Sequence, residues 1–222
     1  MKKDHFADKS KSWDMNSKRV QNAKSIADNI IQDIELNKNM KIMDFGVGTG
    51  LLSYFIAPHI KKIVAVDNSP SMLDVFKDKK DEFDCETEIL ELDLSTQDID
   101  FKLDGIISSM TIHHLEDTKD LLEKFYNMLN KDGFISLADL DKEDGTFHSD
   151  NTGVYHYGFS RDELYKIATD IGYRDISFKT VSKISKPHNE FSIFYLFLLS
   201  SSSTSASTTS SSLFLLSCCA EP

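Results

Sequence analysis

Three glycines at alternate positions, Gly46, Gly48 and Gly50, constrain this chain more than any other stretch of it. They sit inside Lys41–Ser53, which reads Lys-Ile-Met-Asp-Phe-Gly-Val-Gly-Thr-Gly-Leu-Leu-Ser. A short apolar run (Ile42, Met43, Phe45) enters the glycines, and an apolar helical pattern (Leu51, Leu52, Phe55, Ile56) leaves them. That is a buried strand, a tight turn and a helix start. Glycine takes positive φ without penalty and lets a ligand lie directly on the main chain. The turn belongs at the carboxyl end of its strand, where open parallel sheets bind ligands.

The spacing narrows the ligand. A dinucleotide loop, G-x-G-x-x-G, sets its third glycine three residues after the second. Here it comes two after, and Leu51 fills the dinucleotide position. Asp44 precedes the first glycine by two residues. A carboxylate there repels a pyrophosphate but suits a ligand that carries an ammonium group. The D-x-G-x-G-x-G pattern resembles the first motif of the class I S-adenosylmethionine-dependent methyltransferases. The resemblance implies that Asp44 holds the amino group of the methionine moiety. It also implies that Gly46, Gly48 and Gly50 admit the nucleoside.

The rest of the chain reads as an α/β domain in which strands alternate with helices. Val20, Ala23, Ile26, Ala27, Ile30, Ile31 and Ile34 recur at helical spacing and predict one core-packing helix. Ile63–Val66 is a continuous apolar run, as expected of a strand covered on both faces. It ends in Asp67, near enough to the first glycine to accept hydrogen bonds from ribose hydroxyls. Asn68 follows, and Ser69-Pro70 opens a helix whose inner side starts at Met72; Asn68 and Met72 are further candidates for contact with the cofactor. In the resembling family, Asp93 and Leu94, after the third strand, flank the adenine. Asp93 equally suits a plain turn. Ser109 and Met110 end the fourth strand, and their counterparts in the family line the sulfonium.

Residues 173–199 hold two strands joined at Pro187-His188-Asn189. A connection this short forces them antiparallel. The expectation is a doubly wound, mostly parallel seven-stranded sheet, Rossmann-like, with its last strand antiparallel and helices on both faces. That topology resembles the methyltransferases and departs from all-parallel NAD domains. Residues 1–19 resemble the F-x-x-x-A-x-x-[YW] leader that closes over the cofactor in several small-molecule methyltransferases, with Phe6 and Trp13 as its aromatics. Residues 20–199 form the cofactor domain. Residues 200–222 are a Ser/Thr-rich tail that looks foreign to it.

Chemistry concentrates in residues 139–159, where acids, tyrosines and histidines appear without a helical or strand period. Methyl transfer to oxygen or carbon needs a base, and the candidates are His113, His114, His148, His156 and Asp139. His156 is preferred, with His148 and His114 behind it. Tyr155 and Tyr157 are expected to wall a desolvated pocket around His156, while His148 adjoins a polar, wetter stretch. No metal spacing occurs.

Charge bounds the partners. The net charge is −11 and only three arginines occur, Arg19, Arg161 and Arg174. Such a surface is a poor match for nucleic acid. The expected partner is a small-molecule acceptor, in a cytoplasmic and reducing setting, with S-adenosyl-L-methionine as cofactor and no membrane. The oligomeric state is left open. Competing readings are a regulatory S-adenosylmethionine-binding domain, a protein or tRNA methyltransferase, and an NAD-dependent oxidoreductase. Asp44, the glycine spacing and the terminal hairpin speak against the last.

Overall fold

The structure, a computed structural model, describes Asp4, residues 9–187 and residues 189–200. Phe6, His188 and the tail beyond Ser200 lie outside the described residues. Seven strands form one sheet: β1 (Lys41–Phe45), β2 (Lys62–Asp67), β3 (Glu86–Glu91), β4 (Leu103–Ser109), β5 (Leu129–Leu140), β6 (Arg174–Lys186) and β7 (Asn189–Leu199). Their order is β3-β2-β1-β4-β5-β7-β6. The first five are mutually parallel. β7 runs antiparallel to both β5 and β6. The mostly parallel sheet and its antiparallel edge are as the sequence predicts.

Five helices cover the sheet: α1 (Ser17–Asp33), α2 (Leu51–Ile56), α3 (Pro70–Asp78), α4 (Thr118–Met128) and α5 (Arg161–Ile171). Strand side chains alternate between two apolar layers. Ile42, Ile63, Ile107 and Ile193 pack with α1, α2 and α3 on one face. Met43, Val64, Ile106 and Phe194 pack with α4 and α5 on the other. Both faces are therefore dry, which is why β1 and β2 are buried almost end to end.

Local chemistry sets the element ends. Asn16, Ser69, Asp117 and Ser160 each cap a helix through a side-chain oxygen. Gly172 ends α5 in the left-handed region. Residues 130–133 follow α4 and belong to β5, and the regular β4–β5 ladder starts at Gly105 opposite Phe134 after a register shift. Ser200 fastens the sheet edge: its N–H donates to the Gly133 carbonyl at 2.8 Å, and its carbonyl accepts from Arg174 Nε at 3.1 Å. The chain reverses direction in the sheet between β1 and β4, and this opens a crevice at their carboxyl ends.

Candidate functional site

The crevice is built from the ends of five parallel strands. At β1 the three glycines do different work. Gly46 has φ +67°, and a Cβ there would lie 2.1 Å from the side chain of Thr111, across the switch point. A Cβ on Gly50 would lie 2.7–2.8 Å from the rings of Phe76 and Phe83, so it is a packing glycine. Gly48 has φ +54°, and a Cβ built on it meets nothing within 4 Å. Of the three, Gly48 has open space above its backbone, as a ligand lying on the main chain requires.

Asp67 secures this turn from β2. Its Oδ2 accepts the Gly48 N–H at 2.8 Å and its Oδ1 accepts the Ser69 N–H at 2.9 Å. Burial pushes its pKa upward against those bonds. A carboxylate has about four lone-pair sites, so both oxygens can still take hydroxyl protons. Asn68 is exposed beside it, and Met72 is buried in the first turn of α3.

Asp44 is buried and accepts a hydrogen bond from Ser53 Oγ at 2.6 Å. Burial raises its pKa to about 7, the Ser53 bond lowers it, and the charge of Asp67 raises it further. Near neutrality the group is thus poised between its two forms, and an adjacent cation would draw it to the carboxylate. Ser53 was not singled out from sequence. The signal was there: a small polar residue between Leu52 and the aromatic pair Tyr54-Phe55 in a short apolar helix.

At β3, Asp93 Oδ1 accepts from Ser95 N–H at 3.0 Å and Ser95 Oγ at 2.6 Å, so it organises its own turn. Leu94 points into the α4 core. Its carbonyl accepts from Lys124 Nζ at 2.7 Å. At β4, Ser109 accepts through its carbonyl from Thr111 Oγ1. Met110 is held at φ +57°, a left-handed conformation that a non-glycine residue adopts under constraint.

The N-terminal segment reaches the same crevice. Asp14 accepts from the Thr49 hydroxyl inside the glycine turn and pairs with Lys79. Asp4 accepts from Ser69 Oγ and from the Ser71 N–H at 2.9 and 3.1 Å. Arg19 lies 3.8 Å over the Trp13 ring. Asp14, Thr49 and Asp4 were not among the sequence candidates, because their partners lie far along the chain.

Beyond β4, a short turn at Ile112–His114 places His113 against the end of β5. His113 Nδ1 lies 2.7 Å from Asp139 Oδ1, and its backbone N–H donates to Asp139 Oδ2 at 3.3 Å. His113 is 1% exposed and Asp139 is fully buried. Asp139 Oδ1 also accepts the Leu140 N–H. With a carboxylate facing Nδ1, the neutral ring keeps its proton there and presents a bare Nε2. That Nε2 is buried and has no hydrogen-bond partner. The rings of His114 and His148 lie 4.2 and 5.0 Å from that of His113.

The loop over His113 is closed at its neck. Phe159 N–H donates to the Leu140 carbonyl, and Arg161 grips Asp141 with two bonds of 2.7 Å. Inside, Glu143 Oε2 gathers the N–H groups of Gly145, Thr146 and Phe147 at 2.9–3.1 Å. The backbone N–H groups of Tyr155 and His156 both donate to the carbonyl of His113.

This arrangement corrects two expectations. Tyr155 and Tyr157 are 58% and 46% exposed, so they do not wall a pocket around His156. His156 Nε2 is instead engaged by the Glu116 carbonyl and Thr118 Oγ1, at 3.2 and 3.3 Å. Conversely, His148 is not wet. Its Nε2 is buried, and desolvation, ahead of electrostatic contributions from the neighbouring histidines, lowers its pKa to about 4. His114 Nδ1 is held by the Gly153 carbonyl at 2.7 Å. The grouping that emerges is Asp139, His113 and His148.

A cavity of about 470 Å³ opens at the amino ends of the strands, among Met40, Asp104 and Gly133. It lies across the sheet from this chemistry. Among the described residues, no cluster of His, Cys, Asp or Glu could hold a metal ion. No helix of the described residues is long and apolar enough to cross a membrane.

Residues 43–135 match the sequence pattern of the methyltransferase domain family. An uncharacterized methyltransferase of Schizosaccharomyces pombe is 33% identical over 54% of this chain and 48% of its own length. The chain spans about half the length of the curated relatives it matches. Among solved structures, a methyltransferase in complex with the Trm112 activator of Haloferax volcanii superposes with a TM-score of 0.70 at 15% identity. That match covers 89% of this chain and 97% of the other. A phosphoethanolamine N-methyltransferase of Haemonchus contortus, solved with S-adenosyl-L-methionine, gives 0.66 at 15% identity, covering 89% of this chain and 60% of that one. At these identities the structures establish the fold alone.

Proposed function

We propose that this chain, whose residues 43–135 match a methyltransferase domain, is a methyltransferase of the class I S-adenosylmethionine-dependent kind and methylates a small-molecule acceptor at the crevice between β1 and β4. The observation that carries the reading is the paired arrangement of Gly48 and Asp67. Open space lies over a left-handed glycine whose N–H is held by an acid with remaining acceptor capacity. Asp44 beneath the turn suits the ammonium end of the cofactor, and the residues present fit the group. When bound, S-adenosyl-L-methionine supplies an activated methyl group on a sulfonium. What remains for the protein is to align the acceptor, exclude water and, for protonated nucleophiles, take a proton.

Two further observations favour a small acceptor. The acceptor side is roofed by the 142–158 loop with its closed neck, which suits a small guest better than a polymer. All three arginines are also engaged within the chain: Arg19 on Trp13, Arg161 on Asp141, and Arg174 on Asp132 and Ser200. None is therefore committed to phosphate along a nucleic-acid strand. The buried His–Asp pair at the strand ends favours catalysis over a purely regulatory domain.

The test is calorimetric titration of the purified protein with S-adenosylhomocysteine and, separately, with NAD. Binding of the former alone is expected. Binding of NAD alone, or of neither, overturns the reading.

A further inference from the structure

We propose that His113 is the general base of the transfer, with Asp139 its positioning residue, and that the acceptor is a hydroxyl of the phenol or enol class. The inference rests on the methyltransferase reading above and adds the base and the nucleophile to it.

Three observations support it. First, His113 is the histidine of the crevice whose ring is oriented by a buried carboxylate. Asp139 takes both the Nδ1–H and the backbone N–H of the same residue, so the ring has one fixed pose. Second, the nitrogen left over is a buried acceptor without a partner, which is costly unless a proton donor arrives there. Third, His113 follows Thr111 by two residues, and Thr111 donates to the Gly46 carbonyl at 3.3 Å. The base and the glycine turn are thus joined through a single short segment.

The presence of a base narrows the acceptor. Glu143 Oε1 and Asn151 Oδ1, elsewhere in the same loop, are also buried without partners. Asn151 is oriented by its Nδ2 bond to the Gly145 carbonyl. An amine already neutral in solution attacks without a base. A phenol keeps its proton near pH 7, with a pKa of about 10, and gains from a bare imidazole nitrogen beside it. An aliphatic hydroxyl is too weak an acid for the same nitrogen.

The step balances as follows. The hydroxyl oxygen forms its bond to the methyl carbon as the carbon–sulfur bond breaks. The electron pair of that bond stays on sulfur and gives neutral S-adenosylhomocysteine. The hydroxyl proton moves to His113 Nε2, and the resulting imidazolium faces the Asp139 carboxylate. The charge lost by the sulfonium thus reappears as a proton, later released to solvent. The His148 ring, tilted against that of His113 at 5.0 Å, must swing away for the guest to reach Nε2.

The experiment compares wild type with His113→Asn, whose amide can keep the bond to Asp139 while lacking the base. Both are titrated with S-adenosylhomocysteine, then assayed with catechol, which is protonated at neutral pH, and with 4-nitrophenol, assayed at pH 8.5, where it is ionised. Expected are unchanged S-adenosylhomocysteine affinity, a loss of about 10²-fold or more on catechol, and a much smaller loss on 4-nitrophenolate. A second measurement does not depend on turnover. In ¹⁵N-labelled wild type loaded with S-adenosylhomocysteine, catechol should shift the His113 Nε2 resonance and leave His59 unmoved. For Asp139, Asp139→Asn should change the pH profile of kcat/KM as well as its height. Equal losses on the two phenols, wild-type turnover with His113→Asn, or methylation of aromatic amines alone overturns the proposal. Failure to bind S-adenosylhomocysteine in wild type instead overturns the reading beneath it.

Discussion

Gly48 and Asp67 are coupled by one hydrogen bond, and substitution should separate their contributions. Gly48→Val puts a branched side chain into the open space at a φ of +54° that such residues avoid. It should abolish S-adenosylhomocysteine binding, but strain alone is enough to disturb the turn. Gly48→Asn tolerates the left-handed conformation better and still fills the space. Calorimetry should therefore show binding lost in both variants, with the melting temperature of the Asn form near wild type. Retained binding in a folded Gly48→Asn protein would remove the ligand from this turn. Asp67→Ala should weaken binding by about 1–3 kcal/mol, the usual effect of losing hydrogen bonds to a charged group. The glycine motif and Asp67 were legible because they sit at fixed places around one strand–turn–helix. The His113–Asp139 pair was legible only as two separate candidates. Its members lie 26 residues apart, and nothing local says which of several histidines a given acid will face. His156 drew attention through its neighbours in sequence, yet Tyr155 and Tyr157 point to solvent. Adjacency in a loop without period does not report burial.

At the level of elements, the strands were read well because both sheet faces are dry, which leaves continuous apolar runs at β1 and β2. The start of α3 was read through Ser69-Pro70, whose signal is confined to one turn. The N-terminal segment is the opposite case. Its polar composition said little, and its attachment depends on Asp14 meeting Thr49 and Lys79 at separations of 35 and 65 residues. That attachment can be tested. Asp14→Ala removes the acceptor for both partners while leaving the core of the sheet untouched. Its global stability should fall by no more than about 1 kcal/mol, since one side of the pair is partly exposed. Its S-adenosylhomocysteine dissociation rate should rise several-fold, measured by stopped flow. An unchanged rate would mean that the segment rests beside the crevice without closing it.

At the level of the whole molecule, the crevice contains two groups that titrate in opposite senses, and both are tied to folding. Asp44 has its pKa raised to about 7 by burial. Below the unfolded-state value the native protein holds the same proton and suffers no penalty. As pH rises toward 7 the unfolded chain ionises first, so this contribution to stability is lost on the way up. His148 has its pKa lowered to about 4. Its contribution is present above the unfolded value near 6.5 and is lost as pH falls toward 4. Between about pH 4 and pH 6.5 the two trends oppose each other, and the ligand-free protein should show a shallow dependence there from these groups. Asp44→Asn removes one of them. Urea unfolding across this range should then show the variant losing stability on acidification more steeply than wild type. Relative to wild type it should gain roughly 4 kcal/mol between pH 4 and pH 8, at about 1.4 kcal/mol per pKa unit. Cofactor binding should move the other way. In wild type the affinity for S-adenosylhomocysteine should tighten as pH rises through about 7, because its ammonium group prefers the ionised Asp44, and in Asp44→Asn it should be weaker and flat. Parallel stability curves for the two proteins, with parallel binding curves, would show that Asp44 bears no buried charge and does not meet the ammonium group.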